Sequence, residues 1–194
     1  MKVPENYIVN TQRCRLRIVS LADTPHILSA SRYEGFNDGM QWEPPETERE
    51  LEAPFYSNIE RWKLGTSYSF TIENKPEGRF VGRIAIRQTE KTDIWDIGYW
   101  THPEKQGYGY MKEAISGVLT FGFTVLKAVR IEAGYARWNT ASERVLIKNG
   151  FTFVQHFPEG FKKRGVWVPV NQMAINDSTW RKAASHNNDM EISR

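Results

Sequence analysis

Two neighbouring stretches decide the fold: Ile94-Trp95-Asp96-Ile97-Gly98-Tyr99-Trp100, and the run Gln106-Gly107-Tyr108-Gly109-Tyr110 that follows it. The first is rich in β-branched and aromatic residues and predicts a strand, with Gly98 marking a bulge or a close backbone approach. From Met111 the period changes, and Met111, Ala114, Ile115, Val118, Leu119 and Gly122 recur at helical spacing toward Val125. Two glycines between strand and helix free the backbone to turn its amides toward a common point. Together with the unpaired N–H groups of a helix start, they predict a cradle for a phosphate or pyrophosphate. The familiar phosphate loops do not fit this run. It lacks the Gly-Lys-Ser/Thr of a P-loop, Lys112 stands where a dinucleotide motif needs a small residue, and a kinase glycine loop joins two strands.

Upstream, residues 15–19 alternate like a half-buried strand, and Asp23-Thr24-Pro25 predicts a helix entry with Ile27 and Leu28 on the apolar side. Residues 35–45 are irregular. Thr47 and Glu50 then form a capping-box pattern that opens a helix toward Leu64, interrupted or displaced by Pro54. Residues 68–73 and 80–87 read as strands joined by the turn-rich Asn74-Lys75-Pro76-Glu77-Gly78. Downstream, 128–135 predicts a strand and 140–148 a helix stopped by Asn149-Gly150. Two late strands, 151–157 and 166–175, flank the basic turn Lys162-Lys163-Arg164-Gly165, read as a solvated hairpin tip. Ser178 caps a short terminal helix containing Trp180. The order β-α-α-βββ-α-β-α-ββ predicts one mixed α/β domain.

A chain of 194 residues fits a single domain with a sizeable core. Its 26 Lys and Arg against 23 Asp and Glu exclude an obligate polyanion-binding tail. The charge is uneven: seven acids and one base lie between Glu34 and Glu52, so that segment is −6 and the rest +9. The segment is either a solvated face or an acidic wall for a cationic acceptor. The single cysteine, Cys14, excludes an internal disulfide, and the four histidines lack metal-ligand spacing, so no metal is expected. Neighbouring arginines could lower the Cys14 pKa, but no histidine is paired with it, and it reads as a structural thiol. The N-terminus has no apolar signal-peptide core, and no uncharged run reaches the ~20 residues of a spanning helix. A cytoplasmic, membrane-free protein is the expectation.

Gln106-x-x-Gly109-x-Met111, preceded by Ile97-Gly98-Tyr99-Trp100 and followed by Glu113-Ala114, resembles the cofactor motif of the GNAT N-acetyltransferase superfamily. Asn139-x-x-Ser142 and Lys148-Asn149-Gly150-Phe151 resemble its next signature. The likeness is strongest over 93–157 and reaches weakly to Arg15-Leu16-Arg17, Met173-Ala174-Ile175 and Trp180. The chain looks most like the Rim-type ribosomal-protein N-terminal acetyltransferases. It departs from the pattern at Met111, where a small residue is common, and at Pro169, where that branch often has an acid.

The resemblance implies a mixed, mostly antiparallel twisted sheet flanked by helices, with a V-shaped split beside the central strand. It implies one acetyltransferase domain over 1–181, with 182–194 a frayed tail. Acetyl-coenzyme A would be the donor, its pyrophosphate on the amides of Gln106, Gly107, Tyr108, Gly109 and Tyr110 beside Met111. Its pantetheine arm would run along Ile97, Gly98, Tyr99 and Trp100, with Asn139 bonding the arm and Ser142 giving a proton to the thiolate. Asp96 is the candidate base, acting through a water because it is one methylene shorter than the glutamate common there. As local structure, Asn139 or Thr140 is also a good N-cap, and Thr140 with Glu143 a capping box.

The acceptor must attack as a neutral amine. An α-amine is roughly a quarter neutral at pH 7.4 and a lysine only about 0.1%, so a protein N-terminus needs modest base help. Tyr33, Phe36 and Trp42 flank the acidic segment and are expected to shape an acceptor pocket, with Glu43 attracting a cationic group; equally, they are core aromatics. The reading is an N-acetyltransferase acting on a protein N-terminal amine, with a ribosomal protein as partner and a homodimer compatible with it. The alternatives are acetylation of a small-molecule amine (an antibiotic or a polyamine), or a non-catalytic acyl-coenzyme A sensor or ribosome-binding adaptor.

Overall fold

The alternating stretches pair into one eight-stranded sheet in the computed structural model, which describes residues 2–183. In chain order the elements are β1 (Val9–Asn10), β2 (Cys14–Ile18), α1 (Thr24–Ser31), α2 (Glu52–Leu64), β3 (Ser67–Asn74), β4 (Phe80–Gln88) and β5 (Ile94–Thr101). They continue with α3 (Tyr110–Thr124), β6 (Arg130–Ala136), α4 (Thr140–Ile147), β7 (Thr152–Lys163) and β8 (Val166–Asn176). The sheet order is β1-β2-β3-β4-β5-β6-β8-β7, and every neighbouring pair is antiparallel except β5 and β6. The expected mixed, mostly antiparallel architecture is therefore present.

Local chemistry sets the element ends. Thr47 and Glu50 do form the capping box, but it closes a 3-10 turn over Glu48–Leu51, and α2 starts at Glu52 with Pro54 in its first turn. Proline is tolerated there because the first-turn N–H groups have no helical partner anyway. Gly65 ends α2 in the left-handed region, φ +79°. The strand expected to end at 157 runs on to Lys163, passing Pro158 through a register irregularity between Phe157 and Phe161. Its hairpin closes on Arg164 and Gly165, both at positive φ (49° and 82°), as a two-residue turn requires. Helix begins at 177, so Ser178 lies inside the terminal segment, not at its cap. Of the stretch expected to fray, residues 184–194 lie outside the described residues.

One face of the sheet carries the core. Leu16, Phe70, Ile72, Ile84, Ile86, Ile97 and Ile131 are buried there with Ile115, Val118, Leu119 and Phe121 of α3. Trp62 of α2 joins edge-on to Tyr68 and Phe70, ring centroids 5.0 Å away in each case, and donates its Nε1–H to the Val3 carbonyl. At about 25 cal/mol per Å² of apolar area, each such aromatic contributes several kcal/mol. This packing fixes β5 rigidly, which matters because β5 carries the candidate site on both faces.

Candidate active site

β5 and β6 begin as parallel neighbours and then part. Ile94, Trp95, Asp96 and Ile97 pair with Arg130, Ile131, Glu132 and Ala133, and there the ladder stops. β5 continues to Thr101 bonded only to β4, and β6 continues to Ala136 bonded only to β8. The backbone groups of Gly98–Thr101 that face away from β4 thus line an opening instead of a ladder. An extended ligand with amide groups can pair with such an edge like an added strand.

At the mouth of this opening the chain turns into α3. Gly107 and Gly109 both lie at positive φ, 82° and 79°, and Gly109 is the N-cap of α3. The N–H groups of Gly107, Tyr108 and Gly109 make no backbone hydrogen bond among the described residues. With the orphan amides of the first helical turn they form a run of unpartnered donors, which suits a diphosphate. Arg13, absent from the expectations, braces this turn from β2's side of the sheet. Its Nη1 donates to the Tyr108 carbonyl at 3.0 Å and its Nε to Glu113 at 2.8 Å, and its guanidinium lies 5.1 Å from the Tyr110 ring centroid. Burial alone would raise the Glu113 carboxyl, but bonds from Thr11 and Arg13 outweigh it and hold the group ionised.

Alternation along β5 sorts the candidates onto two faces. Ile97 and Tyr99 face α3 and α4, where the Tyr99 hydroxyl lies 2.7 Å from Ser142 Oγ. Burial pushes the Tyr99 phenol well above its ordinary range. Ser142 sits in the first turn of α4, whose N-cap is Asn139: Asn139 Oδ1 accepts from the Ser142 N–H at 3.0 Å. Asn139, not Thr140, is the cap, and Glu143 bonds the Tyr135 hydroxyl instead of closing a box.

Asp96, Gly98 and Trp100 lie on the opposite face, so Asp96 and Ser142 do not touch. Asp96 Oδ2 is held by Arg87 of β4, directly opposite in register, at 2.5 Å to Nη2. Burial raises the Asp96 carboxyl above the ordinary aspartate value, and Arg87 offsets part of that rise. Gly98 sits in an unbroken ladder with β4, so there is no bulge. Its reason is close approach: a Cβ there would stand 2.6 Å from Arg87 Nη2, so the glycine makes room for the guanidinium.

Of the three aromatics singled out, two share one cluster. Trp100 packs edge-on against Phe36, centroids 5.4 Å apart, and Phe36 against Trp42 at 6.2 Å, forming a wall beside the opening. Tyr33 stands apart from it, its hydroxyl donating to Glu104 at 2.7 Å. Glu43 is bound by Arg164 at 2.8 Å, with Lys163 at 3.9 Å. The basic turn is accordingly not simply solvated. Lys163 is buried, and its ammonium donates to the carbonyls of Asn37, Met40 and Trp42 at 2.6, 2.8 and 3.1 Å. Cys14 is fully buried, and burial, reinforced by Glu113, pushes its thiol up to about 11, the reverse of activation by nearby arginines.

The sequence that builds the split parallel pair, the glycine-built helix start at its mouth and the hydroxyl on the facing helix matches the family model "Acetyltransferase (GNAT) domain" over residues 13–152. The chain belongs to the GNAT acetyltransferase family. Members of that family use acetyl-coenzyme A, and this chain is accordingly a GNAT N-acetyltransferase. It is 33% identical over 118 residues to "Probable N-acetyltransferase YjcK" of Bacillus subtilis (strain 168), a match covering 60% of this chain and 65% of that one. The GNAT fold here superposes on the RimL ribosomal L7/L12 α-N-protein acetyltransferase in complex with coenzyme A. That match has a TM-score of 0.79 and 20% identity, over 88% of this chain and 98% of that one. It superposes almost as well on the Vibrio cholerae spermidine N-acetyltransferase in complex with CoA and spermine, with a TM-score of 0.75, 22% identity and coverage of 87% and 98%. Likeness at this identity speaks for the fold alone. Among the described residues of this GNAT domain no helix is long and apolar enough to cross a membrane, and no three His, Cys, Asp or Glu cluster as metal ligands.

Proposed function

We propose that this N-acetyltransferase transfers the acetyl group of acetyl-coenzyme A directly to a protein N-terminal α-amine, in one ternary complex. The donor's diphosphate would lie on the amides from Gly107 to Met111, the expected Gln106 N–H being taken instead by the Pro103 carbonyl at 3.2 Å, and its arm along Ile97, Gly98, Tyr99 and Trp100, with Asn139 Nδ2 turned to it. Ser142, backed by Tyr99, would protonate the sulfur as the carbon–sulfur bond breaks. A backbone N–H of the unpaired β5 edge would hold the carbonyl oxygen as it gains charge. Asp96 would take the proton leaving the nitrogen, through a water.

The observation that carries the choice of acceptor is the Arg87–Asp96 pair. Burial raises the Asp96 carboxyl and Arg87 offsets part of that rise while holding one of its oxygens, so the base help on offer is modest: adequate for an amine that is partly neutral near pH 7.4 and poor for one that is almost wholly protonated. Glu43 of the acidic segment is neutralised by Arg164, so it offers a polycation little attraction. Thiol release from acetyl-coenzyme A, measured with short unblocked peptides and with spermidine, tests the reading. Peptides should turn over at least tenfold faster in kcat/KM, and a clear preference for spermidine would overturn the N-terminal assignment. Binding of acetyl-coenzyme A with no turnover on either would favour a sensor.

A further inference from the structure

Two acids meet on the face of the sheet that carries Asp96. Asp96 is the register partner of Arg87 on β4 and of Glu132 on β6, so the three form one row across three strands. Side chains of such partners leave the same face of the sheet, from strands about 5 Å apart. The row stands one rung short of the point where β5 and β6 part. The two carboxylates are not held alike. Glu132 has a donor on each oxygen: Arg130 Nε lies 2.7 Å from Oε1, and Gln172 Nε2 lies 2.6 Å from Oε2. Asp96 receives both of its bonds from Arg87, at 3.2 and 2.5 Å, and both fall on Oδ2. Among the described residues its Oδ1 has no donor. Asp96 is thus faced by Arg87 from β4 and by Glu132, with Arg130 beside it, from β6.

We infer that Glu132 is a positioning residue for the reaction: its fixed charge, one strand away, makes the Asp96 carboxylate a better proton acceptor than Arg87 alone would leave it. The inference rests on the reading of Asp96 as the base. Two like charges in one site disfavour each other, and the one with weaker support gives way. Glu132, bonded on both oxygens, is the better-supported anion. Asp96, with Oδ1 unbonded among the described residues, is the one that takes a proton. Burial raises the Asp96 carboxyl, Arg87 opposes that rise, and Glu132 adds to it. While it remains ionised, a base of higher pKa takes a proton more readily. The signs follow. Removing the Glu132 charge lowers the Asp96 pKa and weakens the base, whereas removing Arg87 raises the pKa.

The test reads Asp96 directly. In enzyme labelled with carbon-13 at its aspartate carboxyls, the Asp96 signal is the one lost in Asp96→Asn, and its titration follows that group alone. Glu132→Gln should move the Asp96 midpoint down by about half a pH unit or more, and Arg87→Met should move it up. Arg130→Met, which strips Glu132 of its counter-charge, should also move it up, and Glu132→Asp should leave it near wild type. With a short unblocked peptide at saturation and pH 7.4, kcat should fall about threefold in Glu132→Gln and recover in Glu132→Asp. The acetyl-coenzyme A dissociation constant should not change, and melting curves show whether each variant is folded. An Asp96 midpoint that stays or rises in folded Glu132→Gln, or one unmoved by Arg130→Met, would overturn the inference. So would a wild-type kcat in Glu132→Gln when Asp96→Asn is impaired. If Asp96→Asn itself kept the wild-type kcat, the base reading beneath would be what fails.

Discussion

As the proposed base, Asp96 would meet the incoming amine with one carboxylate oxygen committed to Arg87, which would set how much catalysis it supplies. Asp96→Asn keeps the shape and removes the charge, so kcat should fall about 10²-fold, the low end for general-base help, with acetyl-coenzyme A affinity near normal. The sign with pH follows from the amine. Below its pKa of about 7.8 most acceptor molecules carry a proton that must be removed, and above it most do not. The loss in Asp96→Asn should therefore shrink between pH 7 and 9, and a pH–rate profile of unchanged shape would show the proton leaving elsewhere. Ser142→Ala should cost less, because a thiol of pKa about 8.5 is already a fair leaving group. At this scale the sequence discloses residue types but not pairings. Asp96 and Ser142 stand out in their motifs, whereas Arg87 and Tyr99 gain their roles only through cross-strand register and the position of α4. The reason for Gly98 was likewise hidden, since the guanidinium crossing it comes from another strand.

The loop that starts α3 was legible because glycine spacing, a preceding strand and a helical period act within a dozen residues. Its φ values make a sharp demand. Gly109 at φ +79° is strained for any side chain and worst for a β-branched one. A Cβ there would also lie 3.4 Å from Arg13, whose bond to Tyr108 holds the turn. Gly109→Val should raise the acetyl-coenzyme A dissociation constant at least tenfold, about 1.4 kcal/mol, by calorimetry on a variant shown to be folded. Unchanged affinity would remove the cradle from this turn. The bracing by Arg13 was not legible, because β2 and α3 are a hundred residues apart along the chain. The length of β7 was obscured for a different reason. Pro158 and Gly160 read as breakers, but an edge strand tolerates a proline and absorbs it in an irregular register.

Across the whole molecule, the candidate site is an opening between two blocks of sheet, and its proposed acceptor side is closed by contacts that cross the opening. Phe36 leans on Trp100 of β5, and a Cβ on Gly39 would meet Ala136 of β6 at 3.2 Å, so the 35–42 loop spans both lips. What holds that loop is Lys163, at the far tip of the β7–β8 hairpin, through three loop carbonyls. A buried ammonium satisfied by backbone oxygens is a specific anchor, because losing it strands all three acceptors. Lys163→Met keeps the apolar stem and removes the charge. It should cost about 2–3 kcal/mol of stability, read as a lower melting temperature. More informative is the kinetic split. The wall of Phe36 and Trp42 would lose its fixed place, so the acceptor KM should rise several-fold. The proposed donor site lies on α3 and β5, away from the hairpin tip, so the acetyl-coenzyme A dissociation constant should stay within twofold of wild type. An unchanged acceptor KM in a folded Lys163→Met would show that the loop keeps its place without the lysine, and the anchor would then be structural only.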